Sequence, residues 1–204
     1  MKQIILSISL FSFLSSVGFC QEEEKSTLRT KDALSQKATD FFAAMSRGDQ
    51  DFFASFFAEN VEVHVNDITV TGKQAYLARL QKITTVIFAN MTFEKLHVHT
   101  NYFSPEALAF NGKTFGEVRP EPSIWTNAWA TNHAVGRTTQ KKSSVEMHID
   151  FRWEGEQVVQ MLAYYDPTFM NEEIAALEAS QQSRGSRNGI LQRIRRKHCC
   201  LKNR

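Results

Sequence analysis

The segment from Val145 to Asp166 constrains this chain more than any other. Val145, Met147, Ile149 and Phe151 alternate with Glu146, His148, Asp150 and Arg152; Glu154-Gly155-Glu156 interrupts them, and Gln157 to Asp166 follows as a second apolar-rich run. Alternation at period two marks a strand with one buried face, and a short Gly-containing break between two such runs marks a hairpin. Near the start, Phe41-Phe42-Ala43-Ala44-Met45-Ser46-Arg47-Gly48-Asp49 has helical character instead. Helices placed ahead of long antiparallel strands give the order of an α+β cone, a curved antiparallel sheet wrapped by about three N-terminal helices and closed by a short C-terminal one.

Leu34, Ala38, Phe41, Phe42 and Met45 recur at helical spacing and predict a helix over about 28–46, ended by Gly48. Asp49 is placed to cap a short second helix carrying Phe52, Phe53, Phe56 and Phe57, too aromatic to lie on a surface. Val61, Val63 and Val65 predict a strand that turns at Asn66-Asp67 and returns through Ile68 and Val70. A third helix is expected over about 74–84, with Tyr76, Leu77, Leu80 and Ile83 on one side. The main sheet then starts near Met91 and runs through Phe93, Leu96, Val98 and Tyr102. The connection 103–123 is punctuated by Pro and Gly and is long enough to act as a lid. A strand over 124–135 would carry Trp125, Asn127, Trp129, Thr131 and His133 on one face, and a helix over about 168–180 ends the ordered part.

Residues 1–20 read as an export signal: Lys2 gives a positive start, Ile4 to Val17 an apolar run, and Gly18-Phe19-Cys20 a cleavage site. The run is short for a bilayer span, and Gln21-Glu22-Glu23-Glu24-Lys25 is a polar exit, so no transmembrane segment is expected. The alternative makes Val17-Gly18-Phe19-Cys20 a lipobox with Cys20 lipidated, against which Phe19 is too large. The expected organisation is thus a signal (1–20), a polar leader (21–29), one domain (30–180) and a basic tail (181–204). Residues 184–204 hold eight of the 24 Lys and Arg and no acid; Lys2 is another, so residues 21–183 keep 15 against all 22 acids, a net −7. Arg193-Ile194-Arg195-Arg196-Lys197-His198 lacks interleaved aromatics, and a solvated tail is expected rather than a nucleic-acid contact. Cys199 and Cys200 are adjacent and support no disulfide framework. No phosphate-cradling Gly loop, nucleophile elbow or zinc signature is present. His97 with His99 and His148 with Asp150 share strand faces, but each pair lacks a third ligand, so neither a metal nor a cofactor is expected.

Phe42-Ala43-Ala44-Met45-Ser46-Arg47-Gly48-Asp49, Phe57-Ala58-Glu59-Asn60-Val61, Thr71-Gly72-Lys73-Gln74-Ala75, Phe151-Arg152-Trp153-Glu154-Gly155, Val158-Val159-Gln160-Met161 and Tyr165-Asp166 follow one another in the order and spacing of a known superfamily. In these features the chain resembles the nuclear transport factor 2-like proteins, and among them the SnoaL-like group. The resemblance implies an α+β roll with an apolar interior, found in isomerases, cyclases, hydratases and binding modules, and often in homodimers. Its ketosteroid isomerases carry a tyrosine on the first helix, an aspartate base on the first strand and a protonated acid on the hairpin strand. The match puts Phe41, Val65 and Ile149 at those three positions, none of which can move a proton.

The same match turns Val61, Val63, Val65, Met147, Ile149, Phe151, Met161, Ala163 and Tyr165 inward, and His64, Glu146, His148, Asp150 and Arg152 outward. The expected ligand-binding residues are Phe41, Val65, Trp125, Trp129, His133, Ile149, Met161 and Tyr165, with Asn127 and Thr131 as further polar contacts. His133 is the candidate for titration near neutrality. Equally, both tryptophans could be core and His133 could sit at a sheet edge; Tyr165 and Tyr102 are hydroxyl donors or core. Two functions follow. One is an exported module holding a small apolar or amphipathic molecule. The other is a SnoaL-like isomerase, cyclase or hydratase using His133 or a tyrosine. A homodimer through the sheet face is expected beside either, and no nucleic-acid partner.

Overall fold

The computed structural model of the chain describes residues 26–104, 109–110, 113–114 and 123–183. The expected export signal, the basic tail with Cys199 and Cys200, and most of the 103–123 connection read as a lid lie outside the described residues.

Helix α1 (Ala33–Arg47) begins at Asp32, whose extended backbone and carboxylate receive the Ser35 N–H at 3.1 Å. It ends at Gly48, whose left-handed φ of 68° turns its N–H back to Ala44 and Met45. Asp49 caps α2 (Gln50–Phe56) by accepting from the Phe52 N–H. The first helix does not reach back to Leu28, because the Asp32 cap fixes its start; Ser26–Arg29 form strand β1 instead. The Tyr102 hydroxyl donates to Asp32, and the Arg29 guanidinium lies 5.0 Å over the Tyr102 ring. Burial and the Asp32 carboxylate push the Tyr102 hydroxyl up to about 12, so it stays a donor.

Strands β2 (Phe57–Val65) and β3 (Ile68–Thr71) form the early hairpin, and α3 (Lys73–Lys82) follows with a π-turn at Ile83–Ile87. Strand β4 (Phe88–Phe103) pairs with β1 and with β7 (Ser123–Gly136). A two-stranded element, β5 (Ala109–Phe110) with β6 (Lys113–Thr114), stands apart. Strands β8 (Lys142–Glu154) and β9 (Gln157–Tyr165) make the hairpin that dominates the sequence, and helix α4 covers residues 168–183. The seven-stranded sheet runs β1-β4-β7-β8-β9-β2-β3. It is mixed rather than wholly antiparallel as expected, since β2 lies parallel to β9 (Val63 opposite Met161). A hairpin cannot join these two strands, and local sequence carries no mark of such a pairing.

Curvature enters through β4. Its register against β7 breaks between Ala89 and Thr92 and again between Glu94 and His97, where Asn90 and Lys95 take left-handed backbones (φ 53° each). The second break changes which residues face inward, from Met91 and Phe93 to Leu96, Val98 and Thr100. The concave side receives α1 and α2. Phe41, Phe53, Phe56 and Phe57 pack there against Phe151 and Trp153, with Val61, Val63 and Val158 sealing the floor. Under α1 a row of buried polar atoms links four elements: Trp153 Nε1 donates to Thr126 at 2.8 Å, Thr126 and Thr100 hydroxyls are 2.7 Å apart, and Thr100 and Ser35 hydroxyls 2.8 Å. Ser35 Oγ donates to the Arg29 carbonyl at 3.1 Å.

Helix α4 closes the wide end, stacking Phe169 on Phe88 at 5.6 Å. Its Glu173 is 1 % exposed and accepts from the Thr138 and Thr139 N–H groups in the β7–β8 turn. Gly136 makes room for this carboxylate: a Cβ there would stand 2.7 Å from its carboxyl carbon. Burial alone would raise the Glu173 pKa, but the hydrogen bonds from Thr139 and Thr138 outweigh it and hold the group below the usual glutamate range. A depressed folded pKa gives stability that is complete above the unfolded value, about 4.3, and is lost as pH falls through the folded one. Glu173→Gln is therefore expected to cost about 1–3 kcal/mol at pH 7, with the gap to wild type closing below pH ~4. Urea unfolding of both proteins across pH 3–7 checks this; a gap that does not change with pH would refute it. Among the described residues no helix is long and apolar enough to cross a membrane.

A candidate ligand cavity inside the cone

Between the concave sheet, α1, α3 and α4 lies a cavity of about 90 Å³, measured as the space open to the centre of a water-sized sphere. That is room for roughly half a dozen waters, or for an organic molecule of about ten non-hydrogen atoms. Five of the eight expected residues stand in its wall: Phe41 from α1, Val65 from β2, Ile149 from β8, and Met161 and Tyr165 from β9. Phe41, Val65 and Ile149, which the resemblance puts at the three catalytic positions of the isomerase pattern, meet in one cavity.

Trp125, Trp129 and His133 are not in this wall. Strand β7 pairs with β8 without a register break, so these residues share a face with Asn127 and Thr131 as expected, but it is the outer face. The reason is space. Helix α1 packs across the inner side of β7, which admits Thr126, Ala128, Ala130 and Ala134 and has no room for indoles. Outside, Trp129 is 41 % exposed and sandwiched between His99 (5.4 Å, 20°) and His148 (4.5 Å, 5°). Trp125 donates to Ser123 at 2.9 Å, and His133 lies 3.4 Å from Glu94. Asn101 donates to Asn127 at 2.8 Å, Asn127 to Asp150, and His148 Nε2 is 2.9 Å from Asp150. Burial and the neighbouring His97 lower the His99 pKa, which favours its neutral form. The His97–His99 and His148–Asp150 pairs are both here, yet among the described residues no group of three His, Cys, Asp or Glu is placed to hold a metal.

The polar groups of the cavity come from elsewhere. Tyr76 and Arg79 reach it from α3, Asn132 from β7, Ser143 from β8, and Asp166 follows β9. The Tyr76 hydroxyl faces Met161 sulfur at 3.6 Å and that of Tyr165 faces Met170 sulfur at 3.6 Å. Burial raises both phenols above their ordinary range, Tyr165 adding to the effect at Tyr76 while Arg79 opposes it at both. Asp166 is exposed, and the Thr168 N–H at 2.9 Å holds its carboxyl below the usual range. At neutral pH the described wall therefore offers neutral phenols, a fixed cation and an ionised rim carboxylate. None of these exchanges a proton near pH 7, which general acid–base catalysis calls for.

Sequence reasoning placed Tyr76 on the buried side of α3 but missed Arg79 and Asn132. Arg79 follows Tyr76 at i+3, the spacing that puts both on one helix face. Asn132 shares parity with the alanines of β7, so recognising that small-residue face as the inner one would have found it.

No protein-family model and no curated protein matches this sequence. Solved structures do match its shape. A proposed polyketide cyclase from Xanthomonas campestris covers 70 % of this chain and 95 % of its own at 19 % identity, with a TM-score of 0.50. A proposed polyketide cyclase from Pseudomonas putida covers 69 % and 96 % at 14 % identity (TM-score 0.51). A proposed isomerase from Bacillus subtilis covers 69 % and 91 % at 11 % identity (TM-score 0.51). Identities this low speak for shape alone. With α1 and α2 ahead of the main sheet, a curved unclosed sheet and an apolar cavity under α1, the chain has the nuclear transport factor 2-like cone fold.

Proposed function

We propose that this chain is an exported protein whose cone holds a small apolar or amphipathic molecule and does not isomerise it by the steroid-isomerase route. The observation that carries the reading is the meeting of Phe41, Val65 and Ile149 in one cavity wall. A ligand of about ten heavy atoms would bury roughly 400 Å² of apolar surface counting both partners, about 10 kcal/mol of transfer free energy. After an association cost of about 4 kcal/mol or more, the affinity falls in the range of tens of micromolar or weaker. Export is supported by Lys2 and the apolar run to Val17. Exposed Trp129 and Tyr164 support a homodimer through the outer sheet face.

A second reading, an isomerase, cyclase or hydratase, loses His133, which lies on the outer face. What favours it is that the Tyr76 and Tyr165 hydroxyls donate to thioether sulfur, a weak acceptor that a substrate oxygen can replace. Native mass spectrometry of protein secreted under its own leader tests the main reading. The expected spectrum shows a chain beginning beyond Cys20, a dimer, and an added small-molecule mass that is absent in Ala163→Phe, whose ring fills the cavity between Val65 and Ile149. An added mass that survives Ala163→Phe would place the ligand elsewhere.

A further inference from the structure

We propose that the cavity selects molecules that present an oxygen acceptor, carbonyl or carboxylate, on an apolar body. The inference rests on the ligand-binding reading above and names the chemical class of the ligand.

Asn132 carries it. The residue is 8 % exposed, stands in the cavity wall opposite Phe93 and Val145, and its amide nitrogen has no hydrogen-bond partner. A buried donor left unpaired is destabilising, and a ligand oxygen relieves it. The rest of the wall has the same character. Tyr76 and Tyr165 point their O–H groups at thioether sulfur, a weak acceptor that a carbonyl oxygen readily replaces. Arg79 has donors only, one of which is directed at the Tyr165 hydroxyl oxygen. The acceptors are already committed: Asp166 receives the Thr168 N–H at 2.9 Å. The hydroxyl oxygens are the exceptions: Ser143, its O–H engaged with the Ala134 carbonyl at 3.4 Å, and the two tyrosines keep lone pairs. A ligand bearing oxygens thus meets donors, whereas an ammonium ligand meets the Arg79 charge and leaves Asn132 unpaired.

Four probes on one ring, each small enough for the cavity, test this by calorimetric titration of the full-length mature protein: acetophenone, benzoate, ethylbenzene and benzylammonium. The ketone and the carboxylate are expected to bind about tenfold or more tightly than the other two, the factor that one good hydrogen bond supplies. Asn132→Leu should abolish the ketone's advantage, leave ethylbenzene binding within about twofold, and raise Tm because the orphaned donor is gone. Asn132→Asp, which puts an acceptor in place of the donor, should shift preference toward the ammonium probe and keeps the test alive if the leucine variant misfolds. Equal binding of ethylbenzene and the ketone, or a ketone advantage that survives in Asn132→Leu, overturns the acceptor inference and leaves the ligand-binding reading standing. Failure of all four probes to bind overturns both.

Discussion

Phe56→Ala is expected to lower the unfolding free energy by about 3–5 kcal/mol, the range for deleting a fully buried aromatic ring. Phe56 is 0 % exposed and lies where α1, α2 and β8 converge. It stacks on Phe41 at 5.2 Å and Phe52 at 5.3 Å, and meets Phe57, Phe151 and Trp153 edge to face. Those rings brace one another, so they cannot collapse into the space a missing ring leaves, and the cavity term is paid in full. Against a total of about 5–15 kcal/mol for an ordinary domain, this single change brings the fold near its limit. Phe56→Leu keeps most of the volume and is expected to cost less than half as much. Guanidinium unfolding followed by tryptophan fluorescence measures both. A loss under about 1 kcal/mol for the alanine variant would mean that the aromatic cluster repacks freely, contrary to the close packing of protein interiors.

The second large effect is expected at Thr126. Its hydroxyl accepts from Trp153 Nε1 and donates onward to Thr100, which donates to Ser35, which donates to the Arg29 carbonyl. The direction is forced at both ends, since an indole N–H can only donate and a carbonyl can only accept. Thr126→Val keeps the shape and removes the relay, stranding the Trp153 N–H and leaving the Thr100 oxygen without its donor. The expected loss is about 2–4 kcal/mol, the sum of two unsatisfied buried groups. Adding Trp153→Phe to Thr126→Val should cost much less than it costs in wild type, because the stranded donor is then absent. A double-mutant cycle by chemical denaturation reads this coupling. Simple additivity of the two losses would show that the groups do not act as one chain.

Much of the cone was legible because its elements announce themselves locally. Asp32 lies just inside the predicted start of the first helix, while Asp49 and Gly48 mark helix limits by side-chain and backbone chemistry alone, and the alternation through Val145–Phe151 fixes a strand and its inward face. The resemblance placed Phe41, Val65 and Ile149 toward one interior, strand parity added Met161 and Tyr165, and all five line one cavity. Even the second bulge of β4 left a trace, for the apolar rhythm runs on odd numbers through Met91 and Phe93 and then on even ones through Leu96 and Val98. The face of β7 was read the wrong way because size suggested that Trp125 and Trp129 belong inside. What decides the matter is the closeness of α1, a tertiary fact that favours alanine there and sends the indoles out. Asn132 and Arg79 escaped for the same reason: a polar residue reads as exposed until the surrounding walls are known.

The parallel pairing of β2 with β9 also orders events in time. Val63 meets Met161 across 98 residues of chain, so the joining of β2 to the rest of the sheet is among the most distant contacts the chain makes. Contacts of such separation carry a large loop-closure entropy and form late. As the polypeptide is synthesised, its helices and the β2–β3 hairpin emerge with the valine face of β2 still lacking its neighbour. Only when residues 157–165 arrive can that edge be covered, and a nascent chain stopped before Gln157 is a set of helices and hairpins without a cone.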